Sequence, residues 1–383
     1  MKKFRMIIGA DILPTPSNNS LFEKGDTALL VGNELKEYLN SADYRVFNLE
    51  GALTDEESPI TKDGPVLRAP VDSAIGIKKL GADLLVLANN HILDHGNKGV
   101  ISTIETLRRN GINYIGCGIN GNIEKNICIQ TECGTFGIYN CCEHEYSVNN
   151  LNESYSAHAY DPLKAFNDVS ELSQKCDYTI VLYHGGKEKY RYPSPELQKR
   201  FRKFADSGAN LVVAQHTHCI GCQEHYGNST LVYGQGNFIF DRADNEYYNN
   251  GLLIDISFAE DGSVEVGYKV VEKNGNKVRL AEKELSNRIL EEFFHRSKEI
   301  ENPRFIEDRF NEYCSDNLAE YLITFHGKNL VSKILIRLNK NLYKKYIYKC
   351  FYNKKNMIYL YNFLRCEAHY EVVLNGIGLT LEE

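Results

Sequence analysis

Ala214-Gln215-His216-Thr217-His218 sets two imidazoles two positions apart, directly after the apolar run 209–213. Side chains alternate along an extended chain, so both rings share one side, and in the turn beyond a strand both can face one cavity. Imidazole nitrogen suits zinc, iron or manganese, so the pair could serve one ion together or one ion each. Ligand-type residues end other apolar runs as well. Asp11 follows 4–9, Asn48 and Glu50 close 44–49, Asn90 and His91 follow 83–88 with Asp94 three positions on, and His184 follows 178–183. A carboxylate ending a buried strand is costly unless it is paired or bound to a cation. Singly, each residue reads equally well as a cap, a turn or an exposed side chain. Jointly they form a mixed oxygen and nitrogen set, and one or two divalent ions (Mn, Fe or Zn) held there would activate a water for attack on phosphorus or a carbonyl.

Such a set needs a scaffold that gathers strand ends, as an α/β protein does beyond the carboxyl ends of its strands. The chain supplies one. Apolar runs at 4–9, 44–49, 83–88, 112–115, 124–130, 135–141, 178–183, 209–213 and 231–233 read as strands, with helices expected at 32–41, 71–80, 99–109, 161–174 and 194–207. Residues 17–24 read as a polar loop, 55–68 as a charged loop suited to lining a cleft, and 143–161 as a long irregular segment that faces substrate or moves. Runs 251–258 and 263–271 close the first domain as an antiparallel pair. Gly234-Gln235-Gly236-Asn237-Phe238 is too short and wrongly spaced for a nucleotide-binding fingerprint.

A chain of 383 residues exceeds one ordinary core, and the change in character after 273–276 divides it into a domain over 1–275 and a helical, basic appendage over 276–383. From 328 to 366 there is no acidic residue, but there are eight lysines and two arginines among Tyr, Phe, Leu and Ile. That segment reads as a solvated helical pair or as a surface for an anionic membrane, an anionic polymer or a partner protein. A net charge of -7 argues against a general nucleic-acid binder. The short apolar stretch before Asp11 falls below the core of an export signal, and eleven scattered cysteines read as reduced thiols, so a cytoplasmic protein, peripheral to the membrane at most, is expected. Cys219-x-x-Cys222 has no second pair at zinc-finger spacing and reads as coincidence.

The order of these motifs resembles the CapA family of capsule-synthesis, poly-γ-glutamate proteins, itself similar to calcineurin-like metallophosphoesterases. The matching stretches are 9–13, 48–54, 88–96, 184–190, 193–198, 216–218 and 236–238, and the resemblance covers residues 3 to about 260. It implies a four-layer αββα metallophosphoesterase-like sandwich. His216, Asn90 and His184 would hold one ion, Asp11 and His218 a second, with Glu50 in the bridging position. His91 would be the general acid, Asp94 its orienting partner, and Arg68 and Glu188 would contact substrate. Leu13 stands where the phosphoesterases carry a histidine, which removes a ligand from the site at the first strand, and Glu50 is one methylene longer than their aspartate. The resemblance implies a metal-dependent hydrolase of phosphoester or amide bonds, linked to capsule or cell-envelope polymer synthesis. The alternative is a non-catalytic accessory subunit of a synthesis complex.

Overall fold

The computed structural model describes residues 3–62, 64–119, 122–145, 148, 154–241, 246–322, 334, 352–366, 369–370, 372–373 and 377. The chain forms two compact units, Met1–Glu307 and Asp308–Glu383.

Two large sheets organise the first unit, with a three-stranded and a two-stranded sheet beside them. The larger has eight strands, in the order Lys277–Leu280, Val264–Asn274, Asn250–Ala259, Lys3–Leu13, Tyr44–Leu49, Leu84–Val86 and Asn113–Ile115, with Asn237–Phe240 beside Lys3–Leu13. Its first half by sequence is parallel, and the strands from Asn250 onward are antiparallel. The smaller has six, in the order Gln223–Tyr226, Ser229–Val232, Leu211–Gln215, Tyr178–His184, Gly134–Cys142 and Asn126–Thr131.

Alternation along each strand builds the layers. Met6, Ile8, Val46, Leu84, Val86 and Ile115 face the second sheet and meet Phe136, Ile138, Ile180, Leu182, Leu211 and Val213. The odd positions, Ile7, Phe47, Leu49 and Leu85, instead pack on Leu30, Leu35, Leu39, Ile77, Val100 and Leu107 from the helices Thr27–Asn40, Ser73–Lys79 and Gly96–Arg109. The outer face of the second sheet, with Tyr139, Val181, Tyr183 and Val212, is covered by Val169, Leu172, Leu197, Phe201 and Phe204 of Ala165–Ser173 and Pro195–Asp206. Helix, sheet, sheet, helix is therefore the order of layers, the αββα sandwich expected. Strands buried on both faces read as unbroken apolar runs, which is why they were visible in the sequence.

Two stretches differ from the sequence reading. Residues 17–24 are not all loop: Asn19–Lys24 is a short helix, anchored by the fully buried Phe22 in an otherwise polar stretch. The helix before Asn40 begins at Thr27, and Gly32, with φ 72°, interrupts it where the sequence pattern places its start. Helix Lys283–Glu299 buries Ile289 and Phe293 in the layer between the sheets, so the first compact unit extends beyond the compositional shift at 275. Of the basic segment 328–366, Lys354–Arg365 is a helix capped by Asn353; 328–351 lies outside the described residues, apart from Ile334. Among the described residues no helix is long and apolar enough to cross a membrane.

One close backbone approach ties the sheet to the site below. A Cβ on Gly251 would lie 1.9 Å from the carbonyl oxygen of Asn237. Gly251→Ala should thus destabilise the protein by about 1–3 kcal/mol, the usual range for forced overpacking, read as a lower urea midpoint at unchanged slope.

Candidate metal centre

Strand register sets the first ligands in a row. Asp11 lies opposite Asn48 on one side and Asn237 on the other. A bulge between Ile8 and Asp11 breaks the ladder, and side-chain amides take up the nearby carbonyls: Gln235 donates to Ile8 O at 2.7 Å and Gln215 to Gly9 O at 3.3 Å. In the second sheet His184 sits beside Gln215. After Gln215 the chain turns sharply, with His216 at φ 82° and His218 at φ 53°. Left-handed residues other than glycine cost about 1–2 kcal/mol each and persist only where neighbours hold them. Here the His216 N–H donates to Asp11 Oδ2 at 3.3 Å, and the Lys189 N–H donates to Thr217 O at 2.8 Å.

The side chains converge in two groups that share Glu50: Glu50 with His184 and His216, and Asp11 with Glu50 and His218. Around His184 Nε2 stand Asn90 Oδ1 at 3.1 Å, His216 Nδ1 at 3.2 Å and Glu50 Oε1 at 3.8 Å. One proton on that nitrogen can satisfy one of the three. Bonds of ~2.1 Å at a tetrahedral angle place ligand atoms about 3.4 Å apart, so these separations suit a shared ion. His218 donates from Nδ1 to Asn237 Oδ1 at 2.9 Å, which turns the lone pair of Nε2 toward Glu50 Oε1 at 3.6 Å. Asp11 Oδ2 is 3.7 Å from His218 Nδ1, and Asp11 Oδ1 accepts from Asn48 at 2.8 Å. Tyr248 stacks on the His218 ring at 4.7 Å, and Leu13, packed with Phe240 and Tyr248, makes that wall apolar.

His91 borders the cluster. Its Nδ1 meets Asp94 Oδ2 at 2.6 Å, and its backbone N–H donates to Asn89 Oδ1. Asp94 is fully buried; it also accepts from Lys62 Nζ at 2.6 Å and from the Leu67 N–H at 2.7 Å. The remaining expected contacts lie apart. Glu188 is exposed, with its charge within electrostatic reach of Glu50. Arg68 donates to the carbonyls of Thr54 and Asp55, fastening that loop, and does not join the ligands. Cys219 and Cys222 are buried, and burial pushes the Cys219 thiol up to about 11, so it stays protonated.

Two residues here escaped the sequence reading. Glu145, in the irregular stretch, takes a hydrogen bond from Asn90 Nδ2 at 3.0 Å, which aims Asn90 Oδ1 inward, and lies 3.6 Å from His216 Nε2. Lys62 comes from the charged loop. Neither follows an apolar run, so the rule that found the others could not find them; only the choice of 55–68 and 143–161 as cleft-lining segments pointed that way.

Among the described residues, neither carboxylate oxygen of Glu50 has a hydrogen-bond donor, although both are buried. Burial, then the neighbouring Asp11 charge, pushes the Glu50 carboxyl well above its ordinary range, and burial pushes Asp11 up to about 6. Burial and the facing histidines push His184 well down, leaving it neutral. An orphaned carboxylate, a neutral imidazole and acceptors aimed at acceptors fit a divalent cation. For acids whose pKa rises on folding, the native state binds the extra protons, so stability falls as pH climbs from the unfolded value through the folded one. Chelator-treated protein should therefore lose stability between about pH 4 and pH 6, on the order of 2–3 kcal/mol from Asp11, with Glu50 extending the loss upward. Urea midpoints against pH check this, and Asp11→Asn with Glu50→Gln should flatten the curve.

The family model for "Bacterial capsule synthesis protein PGA_cap" matches residues 8–242. Capsule biosynthesis protein CapA of Bacillus anthracis is 28% identical over 214 residues, 54% of this chain and 52% of its own. PGA biosynthesis protein CapA of Bacillus subtilis (strain 168) is 24% identical over 208 residues, 53% of this chain and 54% of its own. The chain thus spans about half the length of these curated relatives. Among solved structures, a novel phosphatase from Mycoplasma pneumoniae aligns over 72% of this chain and 96% of its own at 12% identity and TM-score 0.44. A 5'-nucleotidase from Candida albicans SC5314 aligns over 76% and 57% at 12% identity and TM-score 0.42. With more than half of its length matched by one family model, this chain belongs to the bacterial capsule synthesis protein PGA_cap family.

Proposed function

We propose that this protein is a metal-dependent hydrolase that cleaves a phosphoester or amide bond in the metabolism of a capsular or cell-envelope polymer, poly-γ-glutamate among the candidates. The observation that carries the reading is Glu50: a buried carboxylate without a donor, common to two groups of convergent ligands. Asn90, His184, His216 and Glu50 would hold one ion, and Asp11, His218 and Glu50 a second. Bound there, divalent ions would supply Lewis-acid polarisation of the scissile group and a water acidic enough to attack near neutral pH.

The chain's own groups do the rest. Asp94 fixes the His91 ring through Nδ1 and leaves Nε2 to deliver a proton to the departing oxygen or nitrogen. Lys62 and the Leu67 N–H hold Asp94 in turn, so the acid is aimed before substrate arrives. Asn237 fixes which nitrogen of His218 faces the centre.

A second reading has its own support. Leu13 and its apolar neighbours stand where a further ligand would be, which weakens one of the two ion positions and suits an accessory subunit that binds polymer in the same cleft. Attachment of the basic segment 328–366 to an anionic membrane or a synthesis complex belongs to this same proposal.

Two measurements separate the readings. His216→Ala should remove at least one equivalent of bound Mn, Fe or Zn by elemental analysis and abolish turnover in a phosphoester and amide screen; retained turnover rejects the hydrolase. His91→Asn should keep the metal and lose about 10²- to 10⁴-fold in kcat. Because Asp11 and Glu50 hold protons that a cation must displace, titrating Mn²⁺ into metal-free protein near pH 6 should release protons, and affinity should climb with pH. Calorimetry in buffers of different ionisation enthalpy reads that release directly.

A further inference from the structure

Helix Lys283–Glu299 and the loop after His218 enclose a recess of about 240 Å³ whose charge is out of keeping with an acidic protein. Arg191, Arg288 and Arg296 all line it, with Glu292 as the carboxylate among them. Arg296 is buried and donates to the carbonyls of Gly221 at 2.7 Å and Ile220 at 3.3 Å. Its Nη1 stands 3.7 Å from Glu292, whose side chain is 57% exposed, so that pairing is wet and weak. Arg191 donates to Ile220 O at 2.9 Å and lies over the Tyr247 ring at 5.3 Å. Neither Arg191 nor Arg288 makes an ion pair with a carboxylate among the described residues. Burial and the Arg191 charge both push the Arg296 pKa down, the sign of positive charge gathered without enough negative charge to offset it.

Carbonyls and an aromatic ring hold two of these guanidinium groups in place before anything binds, so little side-chain freedom is left to lose. Guanidinium matches carboxylate and phosphate oxygens in fork geometry. Two of the segments that line the recess also run to the metal centre. Ile220 is two residues past His218, and Tyr247 precedes the Tyr248 that stacks on that histidine.

We propose that this recess is an oxyanion subsite, which takes a second carboxylate or phosphate group of a polyanionic substrate whose reacting bond lies at the metal centre. The link to a reacting bond rests on the hydrolase reading, whereas anion capture does not. Full-length protein freed of metal with chelator is titrated at low salt with triglutamate, tripolyphosphate and inorganic phosphate. Triglutamate or tripolyphosphate should bind saturably, at least 10-fold more weakly to Arg288→Glu and to Arg191→Gln, and more weakly in 0.5 M salt. Arg288 is exposed, so its variant should keep the wild-type thermal midpoint, and equal midpoints exclude misfolding as the cause. His216→Ala should bind the polyanion as wild type does, so retained turnover in that variant would overturn the hydrolase and leave the subsite standing. Affinity unchanged in both arginine variants, or no binding of either polyanion, overturns the subsite. Binding of inorganic phosphate alone overturns it as well, since the recess would then serve a free anion.

Discussion

The interior of this protein tolerates a carboxylate that no hydrogen-bond donor among the described residues satisfies. Glu50 is fully buried, Asp11 stands against it, and no donor among the described residues reaches its oxygens. Left charged and unpaired it would be among the costliest things a fold can contain, and burial pushes its carboxyl well above the ordinary range. Its neighbours make sense only in relation to it: the His218 ring turned so that its Nε2 lone pair points inward, a carboxamide held oxygen-first by Glu145, and an asparagine that fixes the tautomer of His218.

The sandwich is the device that makes such a cluster affordable in position if not in energy. Asp11, Glu50 and Asn90 come from the ends of the first sheet's strands, and His184, His216 and His218 from those of the second. The dry layer between the sheets, with Met6, Ile8, Val86, Ile138, Leu182 and Val213, fixes one set against the other. Left-handed backbone at His216 and His218 is held by bonds to Asp11 and Lys189 that themselves cross between segments.

Much of this was legible in the residues. Strands covered on both sides appear as plain apolar runs, and a polar ligand at the end of such a run breaks the pattern conspicuously, as Asp11, Glu50, His184 and His216 do. Residues set by tertiary contact alone leave no such trace. Glu145 and Lys62 come from irregular segments, the Arg191, Arg288 and Arg296 group assembles from a loop and a helix far apart in sequence, and Phe22 makes a helix of a stretch whose composition is that of a loop. Arg68, a substrate contact by the family resemblance, donates from Nη1 to the backbone of its own loop, a bond its place in the sequence does not announce.

The amide fastenings from Gln215 and Gln235 to the carbonyls at the bulge have a mechanical consequence. Gln215, at the end of a second-sheet strand, joins the two sheets where the ligands stand, so the sheets cannot slide past one another there without leaving the Gly9 carbonyl bare. The gap between imidazoles and carboxylates is therefore gauged by the thickness of hydrocarbon behind them, roughly 10 Å between sheets. The space open to a cation is in this way set partly by side chains outside the two ligand groups.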